Sequence, residues 1–238
     1  MINKKKFRLI LTDCNSAKTN MAIDKALTLS YKKDDMPILR FYTWENSFTI
    51  GLGQNIENYS SLKTIYNDNY SKRITGGGVL FHGHDISYSL LLSNDEFTGL
   101  SVKQSYEKIC QFLLEFYKQI GLNPSFVKDL ESIELKKDEF CQVGFEAYDI
   151  VVNGNKIGGN AQKRDKKLIF QHGSIPLYKT KKDDKMGISL EDLNINLTFE
   201  EAQNRLIEAF EKSFNAQLIL SELTQNENEN LKKILEGN

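Results

Sequence analysis

Hydrophobic residues recur every three or four positions in several segments of this chain, the spacing that places them on one face of an α-helix. The pattern is clearest over Val102–Ile120 and is also present over Ser16–Leu29. A further helix is expected to begin after Thr198, which can cap it together with Glu201 three residues later. Leu220–Leu235 is predicted to form a last short helix.

Shorter apolar segments bounded by turn residues predict β-strands between these helices. The predicted strands are Ile38–Trp44, Phe48–Leu52, Lys72–Thr75, Val79–His82, Asp85–Leu92, Tyr148–Val152 and Leu168–Leu177. The pair Asn153-Gly154 predicts a hairpin, because both residues readily take up positive φ. Hairpins and helices in mixed order favour the α+β (α/β) class, with mixed β-sheets packed against helices.

The composition excludes several classes of protein. Apolar residues make up 40% of the 238 residues and charged residues 26%, as in ordinary globular proteins. The net charge of -1 provides no large field to hold nucleic acid or an anionic membrane. No apolar run approaches the roughly 20 residues of a membrane span, and Met1–Arg8 is not followed by a signal-peptide core. We therefore expect a cytoplasmic protein with neither nucleic acid nor membrane as a partner.

Cysteine and histidine are scarce. Cys14, Cys110 and Cys141 are an odd number at wide spacing, which argues against a disulfide framework and a paired-cysteine zinc site. His82 and His84 lie two residues apart and would share one face of a strand. No third ligand follows nearby, so no metal site is expected.

The segment Arg73-Ile74-Thr75-Gly76-Gly77-Gly78 is the first candidate binding element. Consecutive glycines allow positive φ and let the backbone approach a ligand closely. Their amides can cradle an anion, and Arg73 can add a fork of donors. The alternative is a plain hairpin turn, although three glycines are more than a turn needs. The segment matches neither the Walker pattern nor a dinucleotide fingerprint.

Three further residues are candidates for chemistry. Lys156 is expected on a short turn, followed by Gly158 and Gly159, where its ammonium could reach a ligand carbonyl or phosphate; the alternative is an exposed, solvated lysine. Cys141 is either a nucleophile or an incidental thiol, and a nucleophile would need a nearby positive charge to lower its pKa. His172, in an apolar strand, is either a satisfied core group or a catalytic one.

Together these segments resemble the lipoate and octanoate protein ligase and transferase superfamily, also known as the biotin/lipoate A/B protein ligase family. The loop from Arg73 to His82 resembles its lipoate-binding loop, and Lys156–Gln162 resembles its lysine motif. The remaining matches are Met21–Ala26, Leu39–Trp44 and Gln171–Ile175, so the resemblance covers roughly Cys14 to Leu177. It implies an acyl-binding catalytic core over residues 1–180, with 181–238 as a C-terminal helical segment of the same domain. The Gly-Arg-Gly-rich loop of biotin ligases is missing, which disfavours biotin.

Members of this superfamily divide by chemistry. The ligases activate lipoate with ATP and magnesium, and the larger ones carry an extra domain for which the 61 residues after Leu177 are too few. The octanoyltransferases need no cofactor and hold the acyl group on a cysteine. Cys141 precedes Tyr148 by seven residues and Lys156 by fifteen, a spacing similar to the LipM-type octanoyltransferases. Gly78 departs from that type, where arginine is more frequent. A small ligase, a transferase between lipoyl domains and a non-catalytic acyl-binding relative therefore stay open.

The resemblance also implies roles and partners. Cys141 is expected to be the nucleophile and Lys156 to stabilise the acyl carbonyl. The residues expected to line the acyl site are Arg73, Thr75, Gly76, Gly77, Gly78, His82, Gly158, Gly159, Ala161 and His172. The implied donor is acyl carrier protein. The implied acceptors are lipoyl-domain proteins, either the glycine cleavage H protein or the E2-type domains of 2-oxoacid dehydrogenases.

Overall fold

The structure is a computed structural model that describes residues 4–130, 135, 139–140, 144–180 and 187–237. Its helices are α1 (Ala17–Ser30), α2 (Ser60–Ile65), α3 (Val102–Gln119), α4 (Phe199–Phe214) and α5 (Gln225–Glu236). Its strands are β1 (Lys5–Asn15), β2 (Ile38–Trp44), β3 (Ser47–Ile50), β4 (Tyr70–Lys72), β5 (Leu80–His82), β6 (Asp85–Ser93), β7 (Pro124–Phe126), β8 (Ile150–Val152), β9 (Asn155–Lys156), β10 (Gly159–Arg164), β11 (Leu168–Pro176) and β12 (Ala216–Leu220).

A six-stranded mixed sheet organises the molecule, in the order β10-β11-β6-β2-β1-β12. The pairs β10/β11, β11/β6 and β6/β2 are antiparallel, whereas β1 is parallel to both β2 and β12. Strands β6 and β11 are buried along their whole length because both faces of the sheet are covered. This arrangement confirms the predicted α+β class.

The two faces of the sheet carry different helices. Tyr88 and Leu90 of β6 pack in the larger core cluster together with side chains of α3 and α4. Leu91, which points to the opposite face, packs with Ile23 and Leu27 of α1. Successive residues of β6 thus alternate between the two faces of the sheet. Helix α1 is capped by Ser16, whose side chain accepts a hydrogen bond from the Thr19 amide.

Two small sheets flank the large one. In the first, β3 lies between β4, which is parallel to it, and β5, which is antiparallel. The Gly76–Gly78 segment therefore does not join two paired strands; it crosses from one side of β3 to the other. The interpretation of this segment as a plain hairpin turn is wrong. In the second, β8 pairs with β7 and β9, and the predicted hairpin is confirmed, with φ of 51° at Asn153 and 78° at Gly154.

The C-terminal part differs from the prediction. The segment expected to be helical contains β12, which ends at Leu220, and α5 begins only at Gln225. Strand β12 is short and largely exposed, and its conformation is set by pairing with β1 rather than by its own pattern. Helix α4 packs on α3 and α5 packs on α1. Within the described ranges, no helix is long and apolar enough to cross a membrane.

Candidate active site

The segment 75–79, which crosses from β4 to β5, is called the Gly-rich crossover below. A cavity of about 610 Å³ opens between this crossover, the start of α3 and the edge strand β10. Its volume falls within the range of small-molecule sites in proteins. Its lining residues include Gly76, Gly77, Gly78, Val102, Tyr106, Phe140, Gly144, Tyr148, Asp149, Lys156, Asn160, Ala161 and Gln162. Aliphatic, aromatic and glycine surface predominates, with a few polar groups from β9 and β10.

Lys156 is the buried cation of this cavity. Only 6% of the residue is exposed, and its Nζ donates to Asp149 Oδ2 at 2.6 Å and to the Gly144 carbonyl at 2.9 Å. The interpretation of Lys156 as an exposed, solvated lysine is therefore wrong. The residue lies in β9 rather than on the turn. Asp149 Oδ2 also accepts from the Glu146 amide at 2.7 Å. Burial raises the pKa of Asp149, although the charge of Lys156 opposes this.

The Gly-rich crossover is held in place by Arg73. This residue is 4% exposed; its Nη1 donates to the carbonyl and hydroxyl oxygens of Thr49, and its Nη2 donates to the carbonyls of Gly76 and Gly78. These four hydrogen bonds go to the protein itself, so Arg73 braces the loop rather than presenting an open fork to an anion. The positive φ is at Gly77, at 99°.

His82 is fixed on three sides. Its ring stacks on Trp44 with centroids 3.8 Å apart, Nε2 lies 2.9 Å from the Thr49 hydroxyl and Nδ1 lies 3.0 Å from Asp85 Oδ2. Burial would raise the pKa of Asp85, but the charge and hydrogen bond of His82 lower it to about 2. His84 does not share a strand face with His82, because β5 ends at His82 and Gly83 turns the chain with φ of 112°. In the part of the chain that the structure describes, no group of three or more His, Cys, Asp or Glu side chains could hold a metal ion.

His172 connects the crossover to α1. Its Nε2 lies 2.7 Å from the Thr75 hydroxyl, and its Nδ1 lies 3.6 Å from Asp24 Oδ2. Asp24 also accepts from Arg40 Nη1 at 2.8 Å. Burial would raise the pKa of Asp24, but the hydrogen bond of His172 and the charge of Arg40 hold it below its ordinary value. Burial lowers the pKa of His172. The histidine is thus a satisfied buried group that steadies the loop.

The predicted site residues divide between two neighbouring cavities. Gly76, Gly77, Gly78, Lys156 and Ala161 line the large one. Arg73, His82, Gly159, Ala161 and His172 line a second cavity of about 20 Å³. That volume has room for about one water molecule, so an acyl chain fits only the large cavity. Gly158, with φ of 77°, packs its backbone against the Ser174 carbonyl.

The three cysteines differ in their location relative to the large cavity and in the surroundings of their thiol groups. Cys141 lies outside the described residues; its described neighbours Phe140 and Gly144 line the large cavity. Cys110 is fully buried, accepts a hydrogen bond from Gln171 Nε2 at 3.3 Å, and burial raises its pKa to about 12. Burial and nearby Glu45 raise the pKa of Cys14. Neither thiol has the lowered pKa of a nucleophile.

Two polar residues at the cavity were missed from the sequence. Asp149 precedes the Asn153-Gly154 turn, and Ile157 on the returning strand donates its amide to the Ile150 carbonyl. Counting back from that turn would have placed Asp149 beside Lys156. Asn160 lies inside the lysine motif but had no role assigned to it, because its partner, Tyr88, is on a distant strand.

The mixed sheet, the Gly-rich crossover and the buried lysine together form an α+β domain around a largely apolar cavity with a few polar groups. Residues 16–211 match the lipoyl protein ligase A/B catalytic domain, and the chain belongs to this family. The resemblance noted from the motifs is confirmed.

The relatives are octanoyltransferases in sequence and lipoate ligases in structure. The chain is 28% identical to octanoyltransferase LipM of Bacillus subtilis (strain 168), over 95% of this chain and 92% of that protein. It is 34% identical to LipM of Bacillus cereus, over 74% of this chain and 67% of that protein. A lipoate-protein ligase A bound with ATP superposes with a TM-score of 0.80 at 21% identity, covering 97% of this chain and 94% of the other. A chain of the archaeal lipoylation system of Thermoplasma acidophilum superposes with a TM-score of 0.76 at 18% identity, covering 97% of this chain and 92% of the other.

Proposed function

We propose that this protein is an acyltransferase that moves an octanoyl group from acyl carrier protein to a specific lysine of a lipoyl-domain protein, through a thioester on Cys141. The observation that carries the proposal is the buried Lys156–Asp149 pair at the wall of a cavity large enough for an eight-carbon chain. The match to LipM octanoyltransferases over most of the chain supports the choice of acyl group.

The reaction proceeds in two exchanges. The Cys141 thiolate adds to the thioester carbonyl carbon, the carbonyl electrons move to oxygen, and the oxyanion then re-forms the carbonyl as the carrier thiolate leaves. The acceptor lysine, as a neutral amine, repeats the addition, expels Cys141 as its thiolate and gives its extra proton to water. Covalent catalysis of this kind divides one difficult exchange between two proteins into two easier ones.

The described residues have separate parts in this scheme. The charge of Lys156 favours the thiolate form of a cysteine nearby and the negative charge that develops on the acyl oxygen. Gly76 to Gly78 form the wall against which the chain lies, and Arg73, Thr75 and His172 hold that wall from behind. His82 contacts the Thr49 hydroxyl, which accepts a hydrogen bond from Arg73. Burying six methylenes and the terminal methyl at about 0.8 kcal/mol per carbon gives several kcal/mol of selectivity for chain length.

The proposed partners follow from the two exchanges. The donor is octanoyl-acyl carrier protein, and the acceptors are lipoyl domains of the H-protein or E2 type; no cofactor takes part. Residues 1–180 form the catalytic core and 181–238 belong to the same domain. The pairing of β12 with β1 and the packing of α4 on α3 support this division. Docking of both carriers is transient because each must leave in every turnover.

Intact-mass spectrometry tests the proposal. The purified chain is mixed with octanoyl-acyl carrier protein, with and without a lipoyl-domain acceptor, and should gain the mass of one octanoyl group that then passes to the acceptor. Cys141→Ala should abolish the adduct, whereas Cys14→Ala, at an exposed thiol, should leave it unchanged. Full transfer by Cys141→Ala would exclude the thioester route.

A lipoate-protein ligase is the second candidate, because Gly78 matches the ligases at the third loop position. In that case ATP, magnesium and lipoate form a lipoyl-adenylate in the same cavity. A parallel reaction with these three compounds distinguishes the two activities. Acceptor modification that requires them and is indifferent to Cys141→Ala would identify a ligase.

A further inference from the structure

Three residues lie side by side across the large sheet: Asn160 on β10, Gly173 on β11 and Tyr88 on β6. Cross-strand neighbours share a face of the sheet. Gly173 has no side chain, so the Tyr88 hydroxyl reaches across it and donates to Asn160 Oδ1 at 2.9 Å. A Cβ at Gly173 would overlap both Asn160 Oδ1 and the Tyr88 ring. The glycine is the gap through which these two side chains meet.

Gln171 determines which partner donates in the hydrogen bond between Tyr88 and Asn160. Gln171 Nε2 donates to the Tyr88 hydroxyl at 2.8 Å, and Gln171 Oε1 accepts from Gln162 Nε2 at 2.9 Å. Since the tyrosine oxygen accepts from an amide, its own proton goes to Asn160. Tyr88 and Gln171 are fully buried, so water does not compete for these bonds. The Asn160 amide is thereby held with its oxygen toward Tyr88 and its Nδ2 on the other side.

Asn160 is half-buried and lines the large cavity beside Lys156. Among the residues that the structure describes, its Nδ2 has no acceptor, and Tyr88 is the partner of its Oδ1. Lys156, by contrast, donates to Asp149 and to the Gly144 carbonyl. A half-buried, preoriented amide with two N–H groups to offer is the kind of donor that stabilises a developing oxyanion.

We propose that Asn160 Nδ2 donates to the acyl carbonyl oxygen as it becomes an oxyanion, and that Tyr88 is the positioning residue that orients this amide. The inference rests on the proposed function. The bond that forms in this step is between the attacking sulfur and the carbonyl carbon, and the carbonyl π electrons move to the oxygen that Asn160 holds. When the carrier thiolate leaves, the electrons return and the hydrogen bond weakens. Asn160 gains and loses no proton.

Single-turnover acylation, followed by intact mass with octanoyl-acyl carrier protein, tests both roles. Asn160→Ala should slow acylation by about 10²–10³-fold, the loss typical for one oxyanion donor, with little change in the donor concentration giving half-maximal rate. Tyr88→Phe keeps the buried ring and removes both hydrogen bonds of the hydroxyl group, and the loss of the bond to Asn160 is expected to slow acylation roughly tenfold. Asn58→Ala, at an exposed position, is the matched control and should behave as wild type.

The double variant Asn160→Ala/Tyr88→Phe separates positioning from general damage. If Tyr88 acts through Asn160, the double variant is as slow as Asn160→Ala alone; losses that multiply would overturn the role of Tyr88. Acylation by Asn160→Ala at the wild-type rate, while the wild type forms the adduct, would overturn the inference and leave the proposed function standing. A wild-type chain that forms no octanoyl adduct would overturn both.

Discussion

Lys156 and Asp149 carry opposite charges in a place where water is almost absent: their side chains are 5% and 7% exposed. Taking two charges out of water costs several kcal/mol for each ion, which their attraction and hydrogen bonds must offset. The Glu146 amide donates to Asp149, and the Gly144 carbonyl accepts from Lys156. The pair is therefore more readily explained by the chemistry of the cavity than by stability.

The substitution Asp149→Asn tests whether Asp149 stabilises the buried charge of Lys156. The variant leaves a buried ammonium without its anion, and breaking a buried pair in this way costs about 3–5 kcal/mol. Urea unfolding should show a loss of that order, and octanoyl transfer should fall because the position and charge of Lys156 are no longer held.

The matched control is Asp129→Asn. Its carboxylate pairs with Lys128 at an exposed site, where removal of one partner has little effect on stability. Equal unfolding midpoints for the two variants would show that Asp149 does not stabilise Lys156.

The side chains of the site differ in how far the sequence alone indicates them. The motifs indicated Lys156 and the three glycines because they are contiguous in the chain. Asp149, Asp24 and Asn160 could not be indicated in that way. Each acts through a partner brought to it by strand pairing or by helix packing. The roles of Asp24 and Asn160 therefore emerge only with the fold, whereas the position of Asp149 can be counted back from the Asn153-Gly154 turn.

The Gly-rich crossover is the element on which the cavity depends. It passes so close to the β3 side of the small sheet that a Cβ at Gly51 would overlap the Gly77 carbonyl oxygen. Leu52 donates its amide to the Thr75 carbonyl, and Val79 donates to the Glu139 carbonyl, both within 3.0 Å. The crossover is thus fixed to the chain on both sides of the cavity.

Gly51→Ala should displace this element. The added methyl group meets backbone rather than a flexible side chain, so relief requires movement of the crossover at about 1–3 kcal/mol. We expect a lower unfolding midpoint and slower octanoyl transfer.

Gly53→Ala, two residues further on, is the control, because a Cβ there meets no atom within 4 Å and φ is not positive. The interpretation fails if both alanines have the same effect on transfer.

The elements with the clearest periodicity were predicted well, and the others were not. Helix α3 has a wide apolar face and a Ser101–Gln104 capping box, and it begins at Val102 as predicted. Strands β7, β10 and β12 have three to six residues and no regular alternation. The partners of β7 and β12 are distant in sequence, so tertiary pairing rather than local pattern determines these two strands, whereas β10 forms a hairpin with the neighbouring β11.

Several buried ionisable groups make the free energy of unfolding of the whole molecule depend on pH. In the folded chain the pKa of Asp85 is about 2, against 3.8 ordinarily, because His82 opposes the effect of burial. The unfolded chain therefore binds this proton more tightly. The pKa values of Asp24 and Glu227 are lowered in the same direction by His172 and Arg8, although burial opposes both. Burial lowers the pKa of His172 as well, so protons favour unfolding there too.

The sign of the pH dependence follows from these shifts. The stabilisation from a carboxyl with a lowered pKa is fully present above its ordinary value and is lost as the pH falls through the folded value. The histidine contribution begins to fall earlier, below its ordinary value of 6.5. Asp149 has the opposite sign, since a raised pKa means that the folded chain binds its proton more tightly, and it offsets part of the loss.

Urea unfolding at pH 7, 5, 4 and 3 should therefore give a free energy that declines with acid and declines most steeply below pH 4. For Asp85 the difference between 3.8 and about 2 corresponds to on the order of 2 kcal/mol, at about 1.4 kcal/mol per pKa unit. Asp85→Asn should be less stable at pH 7, because His82 and Ser174 lose their charged partner, and should have a shallower slope between pH 4 and 3. Asp34→Asn removes an exposed carboxylate and should keep the wild-type slope. A wild-type free energy that stays constant from pH 7 to 3 would mean that these buried carboxylates are not held ionised by the network that supports the crossover.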